Sequence, residues 1–169
     1  YRVHALGRTP GQDARITWHA ADLLDTAATA RAVAAIRPSH LLHLAWTTEH
    51  GRFWSDPANL DWVGASLSLL RAFAAAGGRR AVLVGSCAEY DFSASGPWTE
   101  DAPLAPHTLY GAAKDGLRRI AEPFCRGAGI DLAWARLFLL CGEGEAPARL
   151  VPSLAHAIAI GQPARTGPG

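Results

Sequence analysis

The chain has 169 residues, of which 49% are hydrophobic and 18% charged. This is the composition of one globular domain, or of a large part of a bigger one, and it excludes a disordered chain. Sixteen basic and fifteen acidic residues leave a formal net charge of +1, so no global field draws the chain to nucleic acid or to an anionic membrane surface. No apolar run approaches the roughly 20 residues a membrane span needs.

Three cysteines, Cys87, Cys125 and Cys141, are odd in number and far apart. They form neither a disulfide framework nor a metal-ligand cluster, and reduced thiols in a cytoplasmic protein are expected. The chain opens on Tyr1 with no signal peptide, which points to a native N-terminus lying further upstream.

Alternation over Tyr1–Leu6 predicts a strand running into the loop Gly7-Arg8-Thr9-Pro10-Gly11. A second short strand is expected over Ile16–Trp18. Asp25 or Thr26 should cap an alanine-rich helix that ends at Ile36, just before Pro38. The run His40–Trp46 is almost wholly apolar, the pattern of a strand buried on both faces. Pro57 opens a helix that Gly77-Gly78 closes. Ala81–Gly85 is another buried strand. Residues 91–107 form a long loop rich in Ser, Pro and Gly. A helix over 108–127 follows, with Pro123 expected to kink or shorten it. Ile130–Leu140 reads as a strand, and 147–160 as a last helix. Strands alternating with helices imply βαβ units and a parallel sheet, whose ligands bind at the carboxyl ends of the strands.

One constellation at those ends carries chemistry. The strand over 81–85 runs into Ser86, and the next helix contains Tyr110-Gly111-Ala112-Ala113-Lys114. Lys114 is the single lysine, beside fifteen arginines. Residues i and i+4 share a helix face, so phenol and ammonium can point at one place. A Tyr of pKa about 10 needs roughly 4 kcal/mol of differential stabilisation to act as a base near pH 7, and a neighbouring cation supplies part of it.

Ser86 followed by Tyr110-x-x-x-Lys114 resembles the extended short-chain dehydrogenase/reductases, in the NAD-dependent epimerase/dehydratase branch that modifies nucleotide sugars. Asp22-Leu23 resembles that family's adenine-contacting pair, and His43-Leu44-Ala45 its "HLA" turn against the cofactor. Arg136-Leu137-Phe138 followed by Gly142 is similar to its "R-x-F-N-x-x-G" strand, and Thr166-Gly167-Pro168-Gly169 to the segment before its "RDF" motif.

The resemblance implies a Rossmann-like doubly wound parallel α/β sheet. Residues 1–145 would be a partial NAD(P)-binding domain and 146–169 the start of a substrate-binding region. It implies an NAD(P)-dependent epimerase or ketoreductase acting on a nucleotide-linked sugar, homodimeric through a four-helix interface at 57–77 and 108–127. Tyr110 would be the general acid/base, Lys114 would lower its pKa and hold the nicotinamide ribose, and Ser86 would bond the reacting oxygen. Cofactor contacts would come from Arg8, Asp22, Leu23, Leu44, Ala45, Trp46, Tyr110, Lys114 and Phe138, and substrate contacts from Ser86, Cys87 and Arg149. Arg8 favours NADP over NAD, since an Arg there accommodates the 2′-phosphate.

The chain also departs from the family. It has no glycine-rich phosphate turn and begins where the family's second strand would, so a sheet lacking its first strand, most of the substrate domain absent, and weak cofactor binding by the piece alone are expected. Cys87 and Ala88 stand where the dehydratases carry an Asp-Glu pair, which argues against water elimination. Glu89 falls one position too late for that role and reads as structural. The family's helical Asn falls on Trp62 and its strand Asn on Leu139. The alternative is a non-catalytic relative that binds a nucleotide or a partner without turnover.

Overall fold

A computed structural model describes residues 1–47, 49, 51–93, 97–147 and 149–163. The chain divides into two compact units, Tyr1–Leu137 and Phe138–Gly169. In chain order the first unit holds β1 (Val3–Gly7), β2 (Ile16–Ala20), α1 (Thr26–Ile36), β3 (His40–His43), α2 (Ala58–Ala75), β4 (Arg80–Ser86), a 3-10 turn (Cys87–Glu89), α3 (Leu109–Gly127) and β5 (Asp131–Leu137). The second unit carries α4 (Leu150–Ala159). The segment 166–169, singled out in the sequence, lies outside the described residues.

All strand pairs are parallel, as the alternation of strands and helices required. The ladders fall into two sheets, β1–β2 and β3–β4–β5. No ladder joins β1 to β3, in keeping with the expectation of a doubly wound sheet one strand short. The consequence is visible in β3. The sequence predicts a strand over 40–46 buried on both faces, but β3 stops at His43, and Leu42 and Leu44 are 61% and 65% exposed. Side chains alternate along a strand. Leu41 packs on the core and His43 is buried, while Leu42 and Leu44 belong to the opposite, open face.

The helix ends follow local chemistry. The Asp25 carboxylate accepts from the Ala28 amide (2.9 Å) and caps α1, which ends on Arg37 in the left-handed conformation, ahead of Pro38. Thr108 caps α3 by accepting from the Gly111 amide (3.0 Å). Pro123 neither ends nor shortens α3, which runs on to Gly127. β5 ends at Leu137, three residues short of the sequence reading. The core lies between the three-stranded sheet and α2–α3, where Leu70, Phe73, Leu83, Leu117 and Cys125 are essentially sealed from solvent. Each such aliphatic or aromatic side chain contributes about 1.5–3 kcal/mol of transfer free energy, enough to fix the register of β4 against α3.

Candidate active site

β4 is the central strand of its sheet and delivers Ser86 at its carboxyl end. The chain then turns at once into the short 3-10 helix. Ser86 caps it, with Oγ accepting from the Ala88 amide at 3.2 Å, while the Ser86 amide donates to Glu89 Oε1 at 2.7 Å. This is a reciprocal capping box, for which Ser-x-x-Glu is the sequence signature.

The first turn of α3 is pressed against that turn. A Cβ on Gly111 would run into the Ala88 carbonyl oxygen, so the glycine after Tyr110 is what lets the helix approach. Tyr110 is clamped from its other side. Its amide donates to the Trp54 carbonyl (3.1 Å), and Phe53 and Trp54 stand edge-on to its ring at 4.9 and 5.8 Å between centroids.

The structure thus brings Ser86, at the carboxyl end of β4, and Tyr110, in the first turn of α3, to one place, because that helix turn is packed on the 3-10 turn that Ser86 caps. Burial pushes the Tyr110 phenol above its usual pKa, and the Ser86 hydroxyl opposes that rise. Since the Ser86 oxygen already accepts from Ala88, its hydroxyl hydrogen remains available as a donor to the phenol oxygen.

Lys114, one turn on, is buried. Its ammonium donates to the Val84 carbonyl at 2.9 Å and lies 3.8 Å from the centroid of the Trp46 ring, against 5.8 Å from the Tyr110 ring. Desolvation lowers its pKa to about 8, against an upward pull from the Glu89 charge. Tyr110 and Lys114 share a helix face as the i,i+4 spacing required. The ammonium rests on a strand carbonyl and an indole face, both of which stabilise a cation away from water.

Trp46 is itself locked. Its Nε1–H donates to Asn59 Oδ1 at 2.8 Å, and Asn59 donates on to the Phe53 and Asp56 carbonyls. It is therefore a buried wall behind Lys114. His43 is bonded to the Ser66 hydroxyl (2.8 Å), and burial lowers its pKa to about 4, so it is neutral near pH 7.

The remaining candidates are more scattered. Arg8 is exposed after β1. Asp22, after β2, accepts from the Leu24 amide (3.0 Å) beside half-buried Leu23. Leu44 offers an exposed apolar surface, and Ala45 is half-buried. Cys87 is half-buried, and burial raises its thiol pKa. Phe138 and Arg149 belong to the second unit, where Arg149 pairs with Glu145 at 3.1 Å. Sequence reasoning missed the Phe53–Trp54 clamp, which no periodicity announces. It also missed the hold of Trp46 on Lys114, and the Ser-x-x-Glu box, whose spacing was legible.

The donors suit a nicotinamide dinucleotide. A buried ammonium with one hydrogen bond keeps two N–H donors for hydroxyls, the phenol lies on the same helix face, and Leu44 gives an apolar surface beyond β3. A parallel α/β sheet that presents Ser, Tyr and Lys side chains near the carboxyl end of one strand has the architecture in which nucleotides bind at that end of the sheet.

Comparison with known proteins narrows this. Residues 1–168 match the NAD dependent epimerase/dehydratase family, to which the chain belongs. It is 31% identical over 142 residues to UDP-glucose 4-epimerase 4 of Oryza sativa subsp. japonica, covering 82% of this chain and 37% of that protein. A dTDP-glucose 4,6-dehydratase from Streptomyces venezuelae, solved with NAD bound, is 26% identical, with a TM-score of 0.74 over 88% of this chain and 46% of that one. UDP-glucose 4-epimerase of Thermotoga maritima, solved with UDP-glucose, superposes with a TM-score of 0.83 at 20% identity, over 96% of this chain and 56% of that one, and so shows the shared fold. The chain spans little more than a third of the rice protein and about half of these structures. The dehydratase carries NAD, and nothing in these comparisons favours NADP. No described helix is long and apolar enough to cross a membrane.

Proposed function

We propose that this chain carries the reacting half of an NAD-dependent epimerase or ketoreductase of a nucleotide-linked sugar. The observation that carries the reading is the placement of Ser86, at the carboxyl end of β4, against the helix turn that holds Tyr110 and Lys114, through the close approach of Gly111 to Ala88. When bound, NAD supplies hydride acceptance and return. Tyr110 Oη takes the proton of a sugar hydroxyl as that carbon is oxidised and gives it back on reduction. Ser86 donates to the same substrate oxygen and holds it against the phenol. Lys114 holds ribose hydroxyls with the donors left over from Val84, and a cation on that helix face favours the phenolate.

Elimination of water needs a further acid and base. The positions after Ser86 are a thiol and a methyl group, and the Glu89 carboxylate is 0% exposed with both oxygens engaged, which supports epimerisation or reduction over dehydration. Cys87 and Arg149 remain candidate substrate contacts. Arg8 is a candidate for the adenosine side, with NAD the cofactor favoured by the relative. A homodimer through α2 and α3 belongs to the same reading, supported by the exposure of Leu60 (62%) and Ile120 (50%) on those helices.

The test is Ser86→Ala and Tyr110→Phe in the full-length protein, assayed with UDP-hexoses and NAD. Both should lose turnover while binding NAD as before. Unchanged turnover in either variant removes this reading.

A further inference from the structure

The Glu89 carboxylate has no contact with solvent, and it is tied to two strands at once. Oε1 accepts from the Ser86 amide at 2.7 Å. The Trp134 indole N–H of β5 is shared between the two oxygens at 3.1 and 3.0 Å, and Arg136 Nε of the same strand donates to Oε2 at 2.8 Å. Arg136 in turn lies 5.1 Å from the centroid of the Tyr90 ring. Gly85 makes the convergence possible, because a Cβ there would strike both the Trp134 indole and the Glu89 carboxylate. Burying an ion pair is often no better for stability than an apolar pair of the same volume. Here one oxygen of the carboxylate also grips the amide of Ser86, at the carboxyl end of β4.

Resting on the reading of Ser86 and Tyr110 as the reacting pair, we propose that Glu89 is a positioning residue for the reaction. By holding the Ser86 amide it fixes the serine backbone, leaves the hydroxyl with one free donor, and aims that donor at the oxygen shared with Tyr110. The amide is committed to Glu89 and one Oγ lone pair to the Ala88 amide, which leaves the O–H to turn to the phenol or to a substrate oxygen. Without the carboxylate the amide is a buried donor lacking a partner. Ser86 then relaxes away from a geometry in which a shift on the order of 1 Å costs roughly 100-fold in rate.

The test separates the grip on Ser86 from the ion pair, using the full-length protein with NAD and a UDP-hexose. The double variants Glu89→Gln with Arg136→Met, and Glu89→Leu with Arg136→Met, both abolish the ion pair. They differ in whether residue 89 still offers an acceptor. The Gln variant should keep kcat within a few-fold of wild type, and the Leu variant should lose on the order of 10- to 100-fold in kcat with KM within a few-fold. Equal kcat in the two double variants overturns the proposal. In the wild-type protein the Ser86 amide should exchange slowly and resonate well downfield. An amide exchanging at the rate of exposed loop neighbours overturns it whether or not the Leu variant folds. Ser86→Ala distinguishes the two levels of the account. If it leaves turnover intact, the reading of the reacting pair fails; if it is slow while the double variants are equal, only the role of Glu89 fails.

Discussion

Replacing Lys114 by Met should make the protein more stable and less active. The ammonium is buried and its pKa is lowered to about 8 from 10.5, with desolvation the main cause. The difference corresponds to about 3 kcal/mol of cost for the charged form in the folded state. Below pH 8 both folded and unfolded chains carry the proton, and the cost is present in full. Between pH 8 and 10.5 the unfolded chain binds more protons than the folded one, so stability rises with pH. Above 10.5 the cost is gone. Met fills similar volume without a charge and gives up the Val84 hydrogen bond and the Trp46 contact, together about 1–2 kcal/mol. The net expectation is a gain of about 1–2 kcal/mol at pH 7, or roughly 2–4 °C in Tm per kcal/mol for a chain of this size. Urea titrations of wild type and Lys114→Met at intervals from pH 7 to 10.5 isolate the effect, because other titrating groups cancel in the difference. The variant should lead at pH 7 and lose its lead as pH passes from 8 to 10.5. A variant less stable at pH 7, or a lead independent of pH, refutes the claim that Lys114 is held charged at a cost.

Other expectations concern the same walls. His43, lowered to about 4 by burial, should cost stability as pH falls from 6.5 to 4, by about 3 kcal/mol once fully charged. His43→Gln should flatten that part of the stability–pH curve. Gly111→Ala should cost about 2–4 kcal/mol and slow turnover, because its Cβ displaces α3, and with it Tyr110, from the Ala88 carbonyl. Denaturant melts and kcat of the variant check both halves.

Much of the arrangement was legible in the residues, because patterns of period 2 and 3.6 and a few capping residues dictate it. Asp25 marked a helix start that the structure keeps, and the helix expected over 108–127 runs over Leu109–Gly127. Tyr110 and Lys114 lie on one face because four residues make one turn. What the sequence hid came from tertiary placement. The open face of β3 follows from the absence of a ladder on that side, which a run such as His40–Trp46 does not encode. The turn of Lys114 toward Trp46 follows from a carbonyl and an indole supplied by two other strand ends. The Phe53–Trp54 clamp depends on a loop whose path is set by the Asn59 side chain, 0% exposed and bonded to the Phe53 and Asp56 carbonyls.

The most direct test of the central claim is single-turnover reduction of NAD by a UDP-hexose in the full-length protein, wild type against Tyr110→Phe. The account predicts loss of roughly 100- to 10,000-fold in the rate of reduced cofactor formation, with NAD affinity unchanged within a few-fold. A Tyr110→Phe protein that reduces NAD within about threefold of the wild-type rate, far short of the loss expected on removing a general base, would contradict it.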